Sequence, residues 1–340
     1  MNFILPNPSS IYVSSLGQRT WLYLCVSLLM MKYSLVQVDA QLSVPLVLTP
    51  QNGTYQITLE ETTVSIPNSE ITLGTRLFNG LLPGPTFRVQ PGDEFQVVFS
   101  NNLVDQGIPF QNNELSAPDE SNLHFHGLHI SGELPSDDTT HVVKPAESYT
   151  YTISLPTNHM PGTHWMHPHR HGSTSLQVGG GAVSAVIVED PPGTLPSQVE
   201  NAKEVLIVAQ QMDFEELRRT SLISQDNLIS VSGDVENRIV LVNGEFVPTI
   251  SIVPGEWNRF RIIWAAWLVQ ALDFTVDGCE MQLLAKDGIY IRAGVGRNIL
   301  HSNILQNYCN ILLLQNIFVV TNIAIIIAKY RKYCNKYFNV

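Results

Sequence analysis

Between Gln41 and Gly296 apolar and polar residues alternate in short runs, and this period of two limits what the chain can fold into. Phe95, Val97 and Phe99 alternate with Glu94, Gln96 and Ser100, and Tyr149, Tyr151, Ile153 and Leu155 alternate with Ser148, Thr150, Thr152 and Ser154. Successive side chains of a strand point to opposite faces, so such runs are strands with one buried face. The apolar runs at 182–188, 205–208, 239–242 and 260–264 read as core strands of a sandwich, and only residues 214–219 hint at a short helix. The expected class is all-β, and the lengths suit two similar β-sandwiches in tandem.

Asp190-Pro191-Pro192-Gly193-Thr194-Leu195-Pro196 is the most linker-like stretch, because clustered prolines cannot donate to a sheet ladder. It divides the body into a first domain, residues 41–193, and a partial second domain, residues 200–296. A content of 44% hydrophobic and 14% charged residues excludes a disordered chain or a long solvated helix. The 30 acidic and 19 basic residues give a formal charge of −11. With no broad positive surface to release counterions from a phosphate backbone, nucleic acid is excluded as a partner.

The two ends differ from the body. Arg19 precedes an apolar run from Trp21 to Met31, and Val38-Asp39-Ala40 offers a small-residue cleavage pattern before Gln41. Residues 1–40 therefore read as a secretory signal peptide whose apolar part is too short to span a bilayer, and the protein is expected to be secreted or otherwise exported. The sequon Asn52-Gly53-Thr54 fits an exported loop. Residues 297–340 contain no Gly, Pro, Asp or Glu, while Ile, Asn, Lys, Tyr and Phe fill 25 of those 44 positions. Two readings of this tail stand side by side. The segment 311–328, followed by Lys329, Arg331, Lys332 and Lys336, has the flanking charge of a membrane anchor and spans about 27 Å as a helix, although Gln315, Asn316 and Asn322 make it costly to insert. The AT-rich codons of its dominant residues equally suit translated intron or read-through sequence.

Nine of the ten histidines fall between His124 and His171, and the tenth is His301. In His124-Phe125-His126-Gly127 the two imidazoles project from one face of a strand roughly 6.5–7 Å apart, a spacing suited to neighbouring metal ions, while Phe125 packs on the other face. Gly127 ends the strand and leaves room for ions or another backbone to approach. His167-Pro168-His169 repeats the geometry, and Pro168 places it at an edge or where the strand leaves its sheet. Two such pairs on adjacent strands converge four neutral imidazoles on one site. Imidazole suits copper, zinc, iron or nickel, and copper heads the affinity order for nitrogen ligands. His129, His141, His159 and His301 read as ordinary hydrogen-bonded histidines. His164, of opposite strand parity to His167, reads as structural or as an outer neighbour of the metal, and His171 reads as an outer neighbour.

Asn79-Gly80-Leu81-Leu82-Pro83-Gly84-Pro85-Thr86, Gln90-Pro91-Gly92-Asp93, the His-Phe-His-Gly segment and Pro161-Gly162-Thr163-His164-Trp165-Met166-His167-Pro168-His169 follow one another in the order seen in the first domain of the multicopper oxidases. The likeness runs from about residue 43 to Asp190 and continues through residues 179–190. Residues 203–296, with Leu241-Val242-Asn243-Gly244 and Val253-Pro254-Gly255-Glu256, resemble less distinctively the start of that family's second cupredoxin domain. The resemblance implies tandem Greek-key cupredoxin (plastocyanin-like) sandwiches, the second of them incomplete, and a laccase-like reaction, in which a type 1 copper takes single electrons from a reducing substrate and a trinuclear cluster reduces dioxygen to water. It assigns His124 to the type 2 copper and His126, His167 and His169 to the type 3 pair. The family's His-x-x-His-x-His and His-Cys-His segments do not occur here, so half of the cluster ligands and the type 1 site are not encoded. Cys279, alone in the body, reads as a buried structural thiol rather than a ligand, and no disulfide framework can be built on it. The chain is thus expected to bind copper but to show little or no oxidase activity by itself, unless a partner chain or a C-terminal domain completes the site. A copper-binding or structural cupredoxin without turnover is the alternative. A zinc hydrolase is disfavoured by the lack of a His-Glu-x-x-His helix or a carboxylate between the pairs.

Overall fold

The computed structural model describes residues 41–233, 237–253, 255–268, 274–276, 279–291, 323–330 and 338–339. The expected signal peptide, His301, Cys25, Cys309, Cys334 and the side chain of Cys279 lie outside the described residues.

Asn52 and Gly53, both at positive φ, close a two-residue turn between Gln51 and Thr54 that launches β1 (Thr54–Ser65). β2 (Thr72–Phe78), β3 (Phe87–Val89), β4 (Glu94–Asn101), β5 (His124–His126), β6 (Ser148–Ser154), β7 (Gly162–His167) and β8 (Ser184–Val188) follow. A proline-rich turn then leads to β9 (Lys203–Asp213), a helix at Phe214–Ile223, β10 (Ser230–Ser232), β11 (Arg238–Val242), β12 (Glu245–Phe246) and β13 (Trp257–Ala265). The described C-terminal strands are β14 (Thr275–Val276), β15 (Cys279–Lys286), β16 (Ile289–Tyr290), β17 (Ile323–Tyr330) and β18 (Phe338–Asn339). The helix hinted at by residues 214–219 runs four residues further, and Asp213 caps it by accepting a hydrogen bond from the Glu216 N–H at 2.9 Å.

The first sandwich sets the sheet β10-β2-β1-β4-β6 against the sheet β3-β8-β7-β5. The alternation in β4 and β6 turns Phe95, Val97, Phe99, Tyr151 and Ile153 inward, where they meet Phe125, Met166, Val186 and Val188 from the facing sheet. The unbroken apolar run of β8 has its own cause. Val186 and Val188 face this core, while Ala185 and the preceding Val183 face outward into a second cluster with Val208 of β9 and Ile263 of β13. β9 is likewise buried on both faces, since Ile207 and Ala209 join a third cluster with Phe260, Ile262 and Trp264. The second sheet, β12-β11-β9-β13-β17-β15-β16, thus packs through one face of β9 and β13 onto the outer face of β7 and β8.

The chain segments on either side of the proline-rich stretch interlock. β10 adds to the first sheet beside β2, and the Leu42 N–H donates to the Thr249 carbonyl. Asp190, where that stretch begins, accepts hydrogen bonds from Arg259 (2.7 Å), Arg261 (3.3 Å) and the Tyr290 hydroxyl (2.6 Å), while Glu204 binds Arg261 and Arg88. Burial raises the Glu204 carboxyl, but the two guanidinium groups outweigh it and hold it below the ordinary range.

Of the proposed membrane segment 311–328, residues 311–322 lie outside the described residues. The remainder belongs to β17, a strand paired with β13 and β15, in keeping with the strand preference of its β-branched isoleucines. Among the described residues, no helix is long and apolar enough to cross a membrane.

Candidate metal centre

β5 and β7 are antiparallel neighbours in which His124 faces His167 and His126 faces Trp165. Because Phe125 and Met166 point into the first core, His124, His126, Trp165 and His167 all stand on the opposite face. Trp165 is covered there by Val208 of β9 and by Ile263 and Ala265 of β13. Pro168 follows the last residue of β7, so the second pair lies at the strand exit, as its proline predicts.

The four imidazoles converge. The ring of His124 lies 5.9 Å from His126, 5.2 Å from His167 and 5.1 Å from His169, centroid to centroid. One nitrogen from each of His124, His126 and His167 falls within 4.8 Å of the others. His169, past the strand exit, joins through its ring contact with His124 and carries a buried Nδ1 with no hydrogen-bond partner among the described residues.

Neighbouring groups fix the ring orientations. The His124 Nδ1–H donates to Asp137 Oδ2 at 2.9 Å, and the Phe125 N–H donates to Asp137 Oδ1 at 3.0 Å, so one buried carboxylate holds both strand and ring and leaves His124 Nε2 free. The His167 Nδ1–H donates to the Pro168 carbonyl at 2.9 Å, which likewise frees Nε2. Asn122, fully buried, accepts the His169 N–H at 2.7 Å and donates to the carbonyls of Thr139 and His141, tying the strand exit to the loop that carries Asp137. Burial and neighbouring imidazoles push His126 down to about 4. Burial, with the cluster adding and the Pro168 hydrogen bond opposing, pushes His167 down to about 3. His169 is lowered for the same first reason. At neutral pH these three are uncharged and offer lone pairs, which is the state a metal needs.

The other histidines separate from this group. His159 accepts the His129 N–H at Nε2 and donates from Nδ1 to the Met160 carbonyl, so both its nitrogens are used. His141 stacks on Tyr149 with centroids 4.0 Å apart. His171 is exposed, 5.8 Å from His169. His164 is buried with neither ring nitrogen partnered among the described residues, and it explains Gly127: at a φ of 90°, a Cβ there would stand 2.8 Å from His164 Nδ1. The space left by that glycine is taken by the His164 ring and not by an ion. Asp137 stands in no sequence motif, and Trp165 stands only as one member of the Pro161–His169 run, with no role of its own assigned. A lone carboxylate in a loop and an aromatic in a strand carry no local signal of what they touch across the sheet.

The donor set is all imidazole nitrogen, and the buried Nδ1 of His169 and the freed Nε2 atoms of His124 and His167 have no hydrogen-bond partner among the described residues. These residues fit a copper ion. Residues 58–193 match the multicopper oxidase family. The chain is 31% identical over 219 residues to the iron transport multicopper oxidase FET3 of Gibberella zeae, an alignment covering 62% of this chain and 31% of that protein. It is 27% identical to Laccase-1 of Thanatephorus cucumeris over 63% of this chain and 36% of that one. The chain therefore spans about a third of the length of these relatives. The multicopper oxidase of Pseudomonas thermotolerans superposes with a TM-score of 0.55 at 19% identity, covering 82% of this chain and 58% of that one. The McoA multicopper oxidase variant of Aquifex aeolicus gives 0.57 at 18% identity, covering 89% and 60%. The likeness to the multicopper oxidase family thus holds over residues 58–193, and the described strands form a laccase-like cupredoxin fold.

Proposed function

We propose that the chain binds copper through His124, His126, His167 and His169 and supplies the first-domain half of a multicopper-oxidase cluster. The convergence of nitrogens from His124, His126 and His167 within 4.8 Å carries this reading. Copper bound there supplies one-electron redox chemistry, which in the family couples oxidation of a reducing substrate to reduction of dioxygen to water. The chain's own residues hold the ligand atoms in place: Asp137 fixes the His124 ring, the Pro168 carbonyl fixes His167, and Asn122 fixes the backbone of His169. Export fits the sequence pattern of residues 1–40 and the laccase likeness. We place the division between the two sandwiches at residues 193–200, after Asp190.

Copper retention after chelation, measured beside dioxygen uptake with a phenolic dye, tests the reading. Retained copper without uptake is expected of the 340-residue chain. Failure to retain copper contradicts the site, and uptake by the isolated chain contradicts its being half of one. Asp137→Asn is expected to weaken copper binding about 10- to 100-fold, because the carboxylate that selects the His124 tautomer is lost. A chelator competition giving the parent dissociation constant would remove that role.

A further inference from the structure

Trp165 is 3% exposed, and its indole lies 4.3 Å from the His167 ring and 5.2 Å from the His126 ring, tilted by 33° and 32°. Its Nε1 has no hydrogen-bond partner among the described residues, so contact and not hydrogen bonding sets its position. It reaches both imidazoles for a reason built into the strand: it is two residues before His167 on β7 and directly opposite His126 on β5. The two rings it touches gain from it a support on one face. Among the described residues, the His126 ring has no hydrogen bond, and the His167 ring has one, to the carbonyl of the next residue. Around the indole lie Val178, Val183 and Ala185 from the first sandwich and Val208, Ile263 and Ala265 from β9 and β13.

We propose that Trp165 is a positioning residue of the metal centre, its indole holding the His126 and His167 rings in their ligating orientation while the core shared with the second sandwich holds the indole. This rests on the copper-site reading above, and it gives the second sandwich a part in the site although it supplies no ligand. An aromatic platform restricts ring rotation as a hydrogen bond does, and it excludes water from one side of the cluster.

The test uses the full chain, metal-free and with copper added. In the metal-free chain the His126 and His167 ring protons are expected to be displaced in NMR spectra by the indole ring current, to keep part of that displacement in Trp165→Phe, and to lose it in Trp165→Leu. Unchanged positions in Trp165→Leu overturn the proposal. With copper, Trp165→Leu is expected to bind about 10- to 100-fold more weakly with an altered Cu(II) spectrum, while Trp165→Phe stays close to the parent. Val97→Ala, which opens the first core away from the site, is expected to lower stability and leave copper affinity unchanged. Equal affinity and spectra in the parent and Trp165→Leu overturn the positioning role. If Trp165→Leu does not fold, Ile263→Ala, which removes packing from the same cluster without touching an imidazole ligand, must weaken copper binding, and parent affinity there overturns the proposal. A parent chain that takes up no copper defeats the copper reading alone, since the metal-free ring shifts still decide whether Trp165 orients the histidines.

Discussion

Asp226→Ala is expected to destabilise the folded chain by about 3–5 kcal/mol at neutral pH, because it leaves Arg76 charged and buried without its partner. Both side chains of this pair are fully buried, and the guanidinium donates to Asp226 Oδ1 at 2.5 Å and Oδ2 at 3.3 Å. The carboxylate also accepts from Gln106 Nε2 at 2.9 Å and the Ile229 N–H at 3.3 Å. It thereby fastens the loop after the helix at Phe214–Ile223 to β2 in the first sheet. Chemical denaturation checks the value, and a loss below about 1 kcal/mol would mean that the pair is no tie between the segments. Replacing both partners by apolar residues, Arg76→Met with Asp226→Leu, is expected to restore much of the loss, since no charge then stays buried. Burial raises the Asp226 carboxyl, but the Arg76 and Gln106 contacts outweigh it and hold it below the ordinary aspartate range. Its contribution is therefore complete above the unfolded-state value, about 3.9, and falls away as the pH drops below that toward the lower folded-state value. In Asp226→Ala that part of the acid dependence disappears.

His167→Ala is expected to weaken copper binding by at least about a hundredfold, more than the loss of any neighbour that only orients a ligand. His167 is the most buried of the four imidazoles, and its Nδ1–H is already committed to the Pro168 carbonyl, so Nε2 is its one atom free for a metal. Burial holds it uncharged well below neutral pH, so at pH 7 no proton competes for that atom. His129→Ala provides the contrast, because His129 meets the His159 ring and not the cluster, and its copper affinity is expected to match the parent. Equal weakening in the two variants, read by competition with a chelator, would show that the loss reflects general loosening of the domain.

Much of the fold was legible because its cause is local. The alternation at Phe95, Val97 and Phe99 is the geometry of β4 itself, and the two His-x-His pairs share a face because strand parity requires it. Their convergence on one site needed only that β5 and β7 be neighbours. What escaped the sequence depends on contacts far apart in the chain. Parity put His164 on the face away from the ligands, but it did not show that the ring fills the space left by Gly127. The pairing of β10 with β2, and of Leu42 with Thr249, joins segments well over 100 residues apart with no shared motif. The apolar run in the tail is ambiguous by nature, since a segment rich in isoleucine suits a membrane helix or a buried strand, and its described part is the strand β17. Asp137 belongs to the same class, since it meets His124 from a loop, whereas Trp165 shares the face of His167 by strand parity and only its contact with His126 across the strand pair escapes the sequence.

The most direct test of the metal centre is Cu(II) electron paramagnetic resonance on the full chain with one equivalent of copper. A site of converging imidazoles predicts hyperfine structure from several imidazole nitrogens, and its loss in a chain carrying His124→Ala, His126→Ala and His167→Ala together. A spectrum without imidazole nitrogen coupling, or one that survives those three substitutions unchanged, would contradict it.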